Sequence, residues 1–129
     1  MIKLTFCLRR KSHLTHEEFC DYWLNHHGKL GQRLSPYIRM HRYVQNHRRD
    51  MQINKVFQDE RGAPEPFDGV AEAWWNSWEE LEGIMNDPGA QKAFQEALED
   101  EMKFIDLERS PIWLGEEHVI IEDGKPVPY

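Results

Sequence analysis

Two adjacent histidines, His26 and His27, are the side chains of this sequence best suited to acid–base chemistry. Imidazole changes charge near neutral pH, so it can give or take a proton under ordinary conditions. The histidines follow Trp23 by three and four residues, on the apolar stripe of a helix that the capping box from Thr15 to Glu18 predicts. A buried histidine is more often a hydrogen-bonded structural residue than a catalyst. The pair therefore indicates either an acid/base group at the edge of the core or two structural imidazoles.

A second candidate set lies on a predicted strand over residues 37–47, which begins after a turn at Ser35-Pro36. Alternation places Ile38, Met40 and Val44 on one face of this strand. The other face has the aromatic and ionisable residues Tyr37, Arg39, His41, Tyr43, Gln45 and His47. Hydroxyl groups and cations of this kind can stabilise the negative charge that forms on an oxygen when a carbon proton leaves. The strand therefore predicts groups that could assist His27.

These residues are positioned by alternating strands and helices. The predicted elements are a strand over 2–9, a helix from Thr15 to Gly28, the strand over 37–47, a strand over 68–75, a helical stretch after Ser77 that resumes at Pro88, a short helix over 100–107 and a strand over 111–121. Residues 48–67 predict a long polar excursion that could cover a site. This order is that of an α+β ferredoxin-like βαββαβ domain, an antiparallel sheet with both helices on one face. We expect residues 1–129 to form one such domain.

The face of the sheet opposite the helices is expected to hold the polar and aromatic side chains of the second strand. Pairing with a second copy of the sheet would remove this aromatic surface from water. We therefore predict a homodimer in which two sheets close into a dimeric α/β barrel. The polar and aromatic lining of that barrel would form a cavity for a small hydrophobic molecule.

Composition restricts the partners further. The formal net charge of −7 argues against nucleic acid, which binds positively charged surfaces. The sequence has no apolar run approaching the roughly 20 residues of a membrane-spanning helix. Without such a run, and with charged residues near the N-terminus, the protein is expected to be cytoplasmic. Cys7 and Cys20 have no metal-type spacing, and both are expected to be reduced. His118 lies beside Glu116 and Glu117 without a third converging ligand, so no metal is predicted.

Several segments, in order along the chain, resemble the EthD family. They are Ile2-Lys3-Leu4, Leu14 to Phe19 with Tyr22-Trp23, His27-Gly28-Lys29-Leu30, Tyr43-Val44-Gln45, Phe67 to Glu72 and Phe104-Ile105-Asp106. The resemblance implies a dimeric α/β barrel of ferredoxin-like subunits, related to ring-forming, dehydrating and isomerising enzymes of polyketide and aromatic-compound metabolism. The family's histidine before Gly-x-Leu corresponds to His27, which implies an acid/base role there and a structural role for His26. Family isomerases acting on muconolactones have a cysteine where this chain has Ala73.

Together these observations predict a cofactor-independent acid/base enzyme of dehydratase, cyclase or isomerase type, with a hydrophobic aromatic, polyketide-like or lactone substrate. Either Glu72 or Asp106 could orient the His27 ring through its second nitrogen. The candidate catalytic residues are His27, Tyr43 and Asp106, and the candidate substrate-binding residues are Trp23, Tyr37, Arg39, His41, Glu72 and Trp75. Two alternatives stay open: a non-catalytic small-molecule-binding or accessory protein, and a cofactor-free oxygenase that stabilises a substrate carbanion.

Overall fold

Four strands form one antiparallel sheet in the computed structural model, which describes residues 1–128. The strands are β1 (Ile2–Leu8), β2 (Arg42–His47), β3 (Gly69–Trp75) and β4 (Ile112–Glu116), in the spatial order β2-β3-β1-β4. A small separate hairpin follows, made of β5 (Ile121–Glu122) and β6 (Lys125–Pro126). The predicted α+β, βαββαβ order with an antiparallel ferredoxin-like sheet is confirmed.

Helices connect these strands. They are α1 (His16–Tyr22), a π-helical segment (Trp23–His27), α2 (Gly28–Ile38), α3 (Gln52–Arg61), α4 (Trp78–Met85), α5 (Pro88–Phe104) and a 3₁₀ turn (Leu107–Arg109). The capping box that predicted the first helix is present, with Thr15 and Glu18 each bonded to the other's backbone N–H. Residues 1–128 contain no helix long and apolar enough to cross a membrane.

The core lies between one face of the sheet and the helices. One cluster joins α2, β3, α4 and α5 through Leu34, Ile38, Ala73, Trp75, Leu81, Ile84, Ala90 and Ala93. A second cluster, at the other end of the sheet, contains Phe6, Leu8, Phe19, Trp23, Phe104 and Ile105. The register places Leu4 opposite Ala73 and Phe6 opposite Ala71, so these residues share the helix-facing side. The predicted apolar side of the first strand is therefore the side that the helices cover.

The prediction of a strand over residues 37–47 is wrong in its first half, because the first helix does not end at Gly28. Gly28 has ordinary helical angles, and α2 continues to Ile38 with Pro36 inside it. Pro36 has no N–H to donate to the carbonyl of Gln32, and the Ser35 hydroxyl donates to that carbonyl instead, at 2.7 Å. The chain reverses only at Arg39, whose φ of 56° is left-handed.

The predicted faces of the second strand are also reversed. Tyr43 lies opposite Ala73 and therefore points toward the helices. On the same side, Gln45 donates to the Trp23 carbonyl at 3.0 Å. The His47 ring stacks on the Trp23 ring, with the ring centroids 4.3 Å apart. The polar groups of this strand thus take part in the contact between sheet and helices, which alternation could not distinguish from an open face.

Two other predicted boundaries change. The excursion over 48–67 contains helix α3, which ends at Gly62 with a left-handed φ of 57°. Its Ile53, Val56 and Phe57 side chains are all exposed. The last strand stops at Glu116 rather than continuing to Ile121, and the short helix expected over 100–107 is the end of α5. Propensity patterns locate elements better than they locate element ends.

A buried carboxylate, Asp68, fixes the start of β3 to the segment before α1. It accepts hydrogen bonds from the Arg10 backbone at 2.9 Å, from the Arg10 guanidinium at 2.6 Å and from His16 Nδ1 at 2.8 Å. Burial opposes ionisation, but these bonds together hold the pKa of Asp68 below its usual value. The carboxylate is therefore a charged structural anchor away from the cavity described next.

Candidate active site

A cavity of about 320 Å³ lies between the sheet and the helices of each chain. Its walls are mostly apolar and come from every strand of the main sheet and from α2 and α5; they include Leu4, Phe6, Leu30, Leu34, Phe94, Ala97, Leu98 and Ile112. The few ionisable residues that line it are His27, Tyr43, Glu72 and Glu101. This cavity lies inside one chain, and the predicted cavity between two sheets stays a prediction. Such a pocket suits a small apolar molecule held by a few polar groups.

The π-helical segment determines which of the two histidines faces this cavity. The Gly28 N–H donates to the Trp23 carbonyl five residues earlier, and the Gln45 side chain donates to the same carbonyl. A π turn contains more residues than an α turn, so the fourth residue after Trp23 returns to its face and the third does not. The His27 side chain is 13% exposed and that of His26 is 58% exposed. The expectation that both imidazoles point inward is therefore wrong.

The Asp100 carboxylate holds the ring of His27. His27 Nδ1 lies 2.7 Å from one carboxylate oxygen, and the Tyr22 hydroxyl donates to the other at 2.6 Å. Burial opposes ionisation of Asp100, yet the hydrogen bonds from Tyr22 and His27 keep its pKa below the usual value. An ionised carboxylate only accepts, so the proton of neutral His27 is on Nδ1 and Nε2 is left as the acceptor.

The electrostatic environment favours neutral His27. Burial lowers the pKa of His27, and the hydrogen bond and charge of Asp100 oppose this effect only in part. Within residues 1–128, Nε2 of His27 has no hydrogen-bond partner. A neutral imidazole with a free Nε2 beside a cavity can accept a proton from a bound molecule.

Two further polar groups line the cavity on other elements. The Tyr43 hydroxyl accepts a hydrogen bond from Gln45 Nε2 at 3.2 Å, and burial raises the pKa of Tyr43. The phenol therefore stays protonated and can donate to a ligand oxygen. Burial, together with the charge of Asp100, raises the pKa of Glu101 to about 7.

Three other predicted site residues also line the cavity. Trp23 and Trp75 are almost completely buried and form apolar walls. The Trp75 indole N–H donates to the Ile38 carbonyl at 3.2 Å, which fixes its ring. Glu72 is on β3 between two lining alanines, but its carboxylate pairs with Lys3 on the open face of the sheet. Glu72 is therefore not the partner of His27.

The other four predicted site residues do not line the cavity. Tyr37 is half exposed near the end of α2, and Arg39 pairs with Asp87 at 3.3 Å. His41 precedes β2 and is exposed. Asp106 lies beyond α5, where its carboxylate is 3.8 Å from Arg109. The expected orienting role of Asp106 is therefore corrected, since Asp100 holds Nδ1 of His27.

Sequence analysis missed Asp100 and Glu101, although a signal for Asp100 was present. Ala90, Ala93, Ala97, Asp100 and Phe104 follow one another at spacings of three and four residues, which is the buried stripe of α5. A carboxylate on such a stripe requires hydrogen-bond donors from neighbouring elements. Tyr22, on α1, and His27, on the π-helical segment, are polar residues on the core-facing side of their own elements. Their hydrogen bonds to Asp100 could therefore have been predicted from these positions.

The topology and the cavity define a class of protein, an α+β ferredoxin-like fold with a small-molecule-sized cavity inside the protomer. The chain belongs to the EthD family, since the model of the EthD domain matches residues 11–108. The resemblance seen in the sequence is thereby confirmed. The comparison with curated proteins gives no significant match.

The solved structures that share the fold include three with TM-scores from 0.54 to 0.60. An ethyl tert-butyl ether D (EthD) family protein from Bacillus halodurans is 16% identical, with a TM-score of 0.60 over 92% of this chain and 99% of its own. A dimeric protein of unknown function and ferredoxin-like fold from Bacteroides fragilis is 8% identical, with a TM-score of 0.55 over 90% of this chain and 95% of its own. An EthD-like protein from Ralstonia eutropha is 16% identical, with a TM-score of 0.54 over 95% of this chain and 96% of its own. At these identities the likeness shows the fold alone.

Proposed function

We propose that the protein is a cofactor-independent acid/base enzyme that dehydrates, cyclises or isomerises a hydrophobic aromatic, polyketide-like or lactone substrate. The main support is the geometry of His27, whose Nδ1 is held by buried Asp100 while its ring lines an apolar cavity. An imidazole oriented by a carboxylate is an effective general base, because the carboxylate fixes the tautomer and stabilises the imidazolium that forms.

The cavity suggests how a carbon proton would be removed. A substrate carbonyl beside Tyr43 would accept a hydrogen bond from the phenol while Nε2 of His27 takes a proton from the neighbouring carbon. Negative charge would then develop on the substrate oxygen, where the phenol donor is already oriented. The apolar walls lower the local dielectric constant, which strengthens both interactions. No cofactor is needed for this proton transfer.

Substitution of His27 by alanine tests this function directly. Turnover of β-hydroxy ketones, aromatic polyketide-like ketones and lactones would be followed by mass spectrometry. We expect the most active substrate to lose about 10²–10⁴-fold in kcat in His27→Ala, the usual contribution of one general base. His26→Ala is the matched control: His26 is exposed and does not line the cavity, its Nδ1 lies 3.4 Å from Asp100 but Asp100 keeps its closer bonds to His27 and Tyr22, and the variant should retain activity.

Two results would count against the acid/base function. Unchanged turnover in His27→Ala would remove His27 from the mechanism. Ligand binding without turnover of any substrate class would instead favour a non-catalytic binding protein. Thermal unfolding of both variants separates these results from a loss of folding.

We also propose a homodimer formed through the open face of the sheet. The neighbour from Bacteroides fragilis is dimeric. In this chain Trp113 lies opposite Thr5 on the open face and is 50% exposed, and Ile120 and Ile121 nearby in the chain are also exposed. A group of large apolar side chains left exposed in this way is typical of an interface between proteins.

Sedimentation equilibrium tests the dimer. We expect a mass twice the 15.5 kDa of one chain at micromolar concentration. Trp113→Glu places a charge on the proposed interface and should shift the mass toward one chain. Trp78→Glu alters a similarly exposed tryptophan on the helix layer and should leave the dimer intact. A wild-type mass of one chain would refute the proposal.

A further inference from the structure

Glu101 is an ionisable residue of the cavity that the proposed function does not use. It follows Asp100 on α5 and lines the same cavity as His27. Ala97 and Leu98, one helical turn earlier, are also lining residues, as is Ile105, which directly follows α5. The carboxyl group is therefore placed among apolar side chains on the stripe of α5 that faces the cavity.

The groups around Glu101 leave its carboxylate without a cation. On α5 its neighbour is the ionised Asp100, and the ionisable lining residues of the other elements are His27, Tyr43 and Glu72. Glu72 pairs with Lys3, and Tyr43 is a neutral phenol. The lining residues from β1 and β4 are apolar. Within residues 1–128, the Glu101 carboxylate makes no salt bridge, and the one neighbouring charge that shifts its pKa is that of Asp100, which raises it.

We propose that Glu101 is a second proton-transferring group of this cavity and that it selects uncharged apolar substrates bearing a hydroxyl or carbonyl oxygen. The catalytic half of this proposal rests on the proposed function of His27, whereas the selection of charge does not. Because the pKa of Glu101 is about 7, the acid and the carboxylate are both populated near neutral pH. Glu101 thus acts as a proton donor in the site where His27 acts as the proton acceptor.

Dehydration of a β-hydroxy ketone illustrates the division of roles. Nε2 of His27 takes the proton from the carbon between the carbonyl and the hydroxyl-bearing carbon, and the electrons of that C–H bond form the new C=C bond. The C–O bond breaks, and the Glu101 carboxylic acid gives its proton to the departing hydroxyl, which leaves as water. Proton transfer from the His27 imidazolium to the Glu101 carboxylate, through solvent, restores both groups. No oxidant or reductant is required.

Charge selection follows from the sign of the Glu101 charge. Above its pKa the group is a carboxylate in apolar surroundings and repels an anionic ligand strongly. Below that pKa the group is neutral and the repulsion disappears. Neutral ligands should be insensitive to this change, so a matched pair of ligands can isolate the effect.

Binding of 2-naphthol and 2-naphthoate, measured by quenching of tryptophan fluorescence, tests this selection. Between about pH 5.5 and 8.5 naphthol stays neutral and naphthoate stays anionic. For wild type we expect the affinity for naphthoate to fall about tenfold across this range and that for naphthol to stay constant. In Glu101→Gln both affinities should be constant. His27→Gln is the matched control and should keep the naphthoate dependence, which shows that His27 does not cause it.

Three outcomes would overturn the selection: a flat naphthoate profile in wild type, a dependence that persists in Glu101→Gln, or failure of both probes to bind. Glu101→Gln replaces a charged group by a neutral amide of the same shape, so the variant should fold, and circular dichroism checks this. Its turnover separates the two proposals. If His27→Ala abolishes turnover and Glu101→Gln does not change it, the function stands and the second proton-transferring group does not. If naphthoate selection follows Glu101 but no substrate class is turned over, selection stands and catalysis does not.

Discussion

Replacement of Asp100 by asparagine is expected to lower kcat by about 10²–10⁴-fold with little change in KM. The reason is the tautomer of His27. The Asp100 carboxylate, 2.7 Å from Nδ1, can only accept, whereas an asparagine amide can donate to Nδ1. Neutral His27 would then place its proton on Nε2, which could no longer accept a proton from substrate. Asp100 is a positioning residue in this mechanism, because it acts through the imidazole.

Nitrogen NMR of the His27 ring measures this effect without a substrate. Wild type should show protonated Nδ1, and Asp100→Asn should show protonated Nε2. The charge of Asp100 raises the pKa of His27, so its loss should move the acid limb of the pH–rate profile to lower pH. Tyr22→Phe is the control, because it removes one hydrogen bond to Asp100 and leaves the contact with His27. An unchanged His27 tautomer in Asp100→Asn would exclude the positioning role.

Substitution of Gly69 by alanine is expected to cost about 2–3 kcal/mol of the free energy of unfolding, or roughly 10 °C in Tm. A Cβ at this position would lie 2.5 Å from the Asn46 carbonyl oxygen and 2.5 Å from the Trp23 ring. Neither can move easily, since Asn46 is paired within the sheet and Trp23 is buried and stacked on His47. Displacement of Trp23 would also disturb the π-helical segment that aims His27.

Gly83→Ala is the matched control for this prediction. Gly83 lies inside α4, and a Cβ there has open space around it. Alanine should therefore stabilise the protein by about 0.5–1 kcal/mol through its greater helix propensity. Chemical denaturation of the two variants measures the contrast. If Gly69→Ala is as stable as wild type, the close packing of Trp23 against β3 is not a structural constraint.

Much of the fold was predictable because its signals are local. The Thr15 capping box begins the first helix where expected, and alternating apolar residues identify β1 and the helix-facing side of the sheet. Pro88 begins α5 at its first turn, as predicted. Each of these features depends on residues within one or two turns of one another. The order of strands and helices, and with it the α+β class, follows from them.

The boundaries that were wrong depend on contacts between elements distant in sequence. Pro36 is a breaker by local rules, but α2 continues through it because Leu34 and Ile38 are buried against β3, α4 and α5. Tyr43 and Gln45 have the composition of an exposed strand face, yet they face Trp23 and the cavity. Alternation identifies two faces of a strand without stating which one the rest of the chain covers.

The sequence by itself predicted the ferredoxin-like fold and showed a resemblance to the EthD family. It also identified the histidine pair as the source of a candidate acid/base group. The resemblance favoured His27 over His26, but only the tertiary structure showed which of the two rings is buried and which residue is the partner of His27. The π-helical turn, which Gln45 supports from β2, rotates His27 inward and leaves His26 exposed. Asp100, 73 residues away, then meets Nδ1 of His27. The spacing of a helix sets neighbouring positions, but the partner of a side chain depends on how separate elements pack.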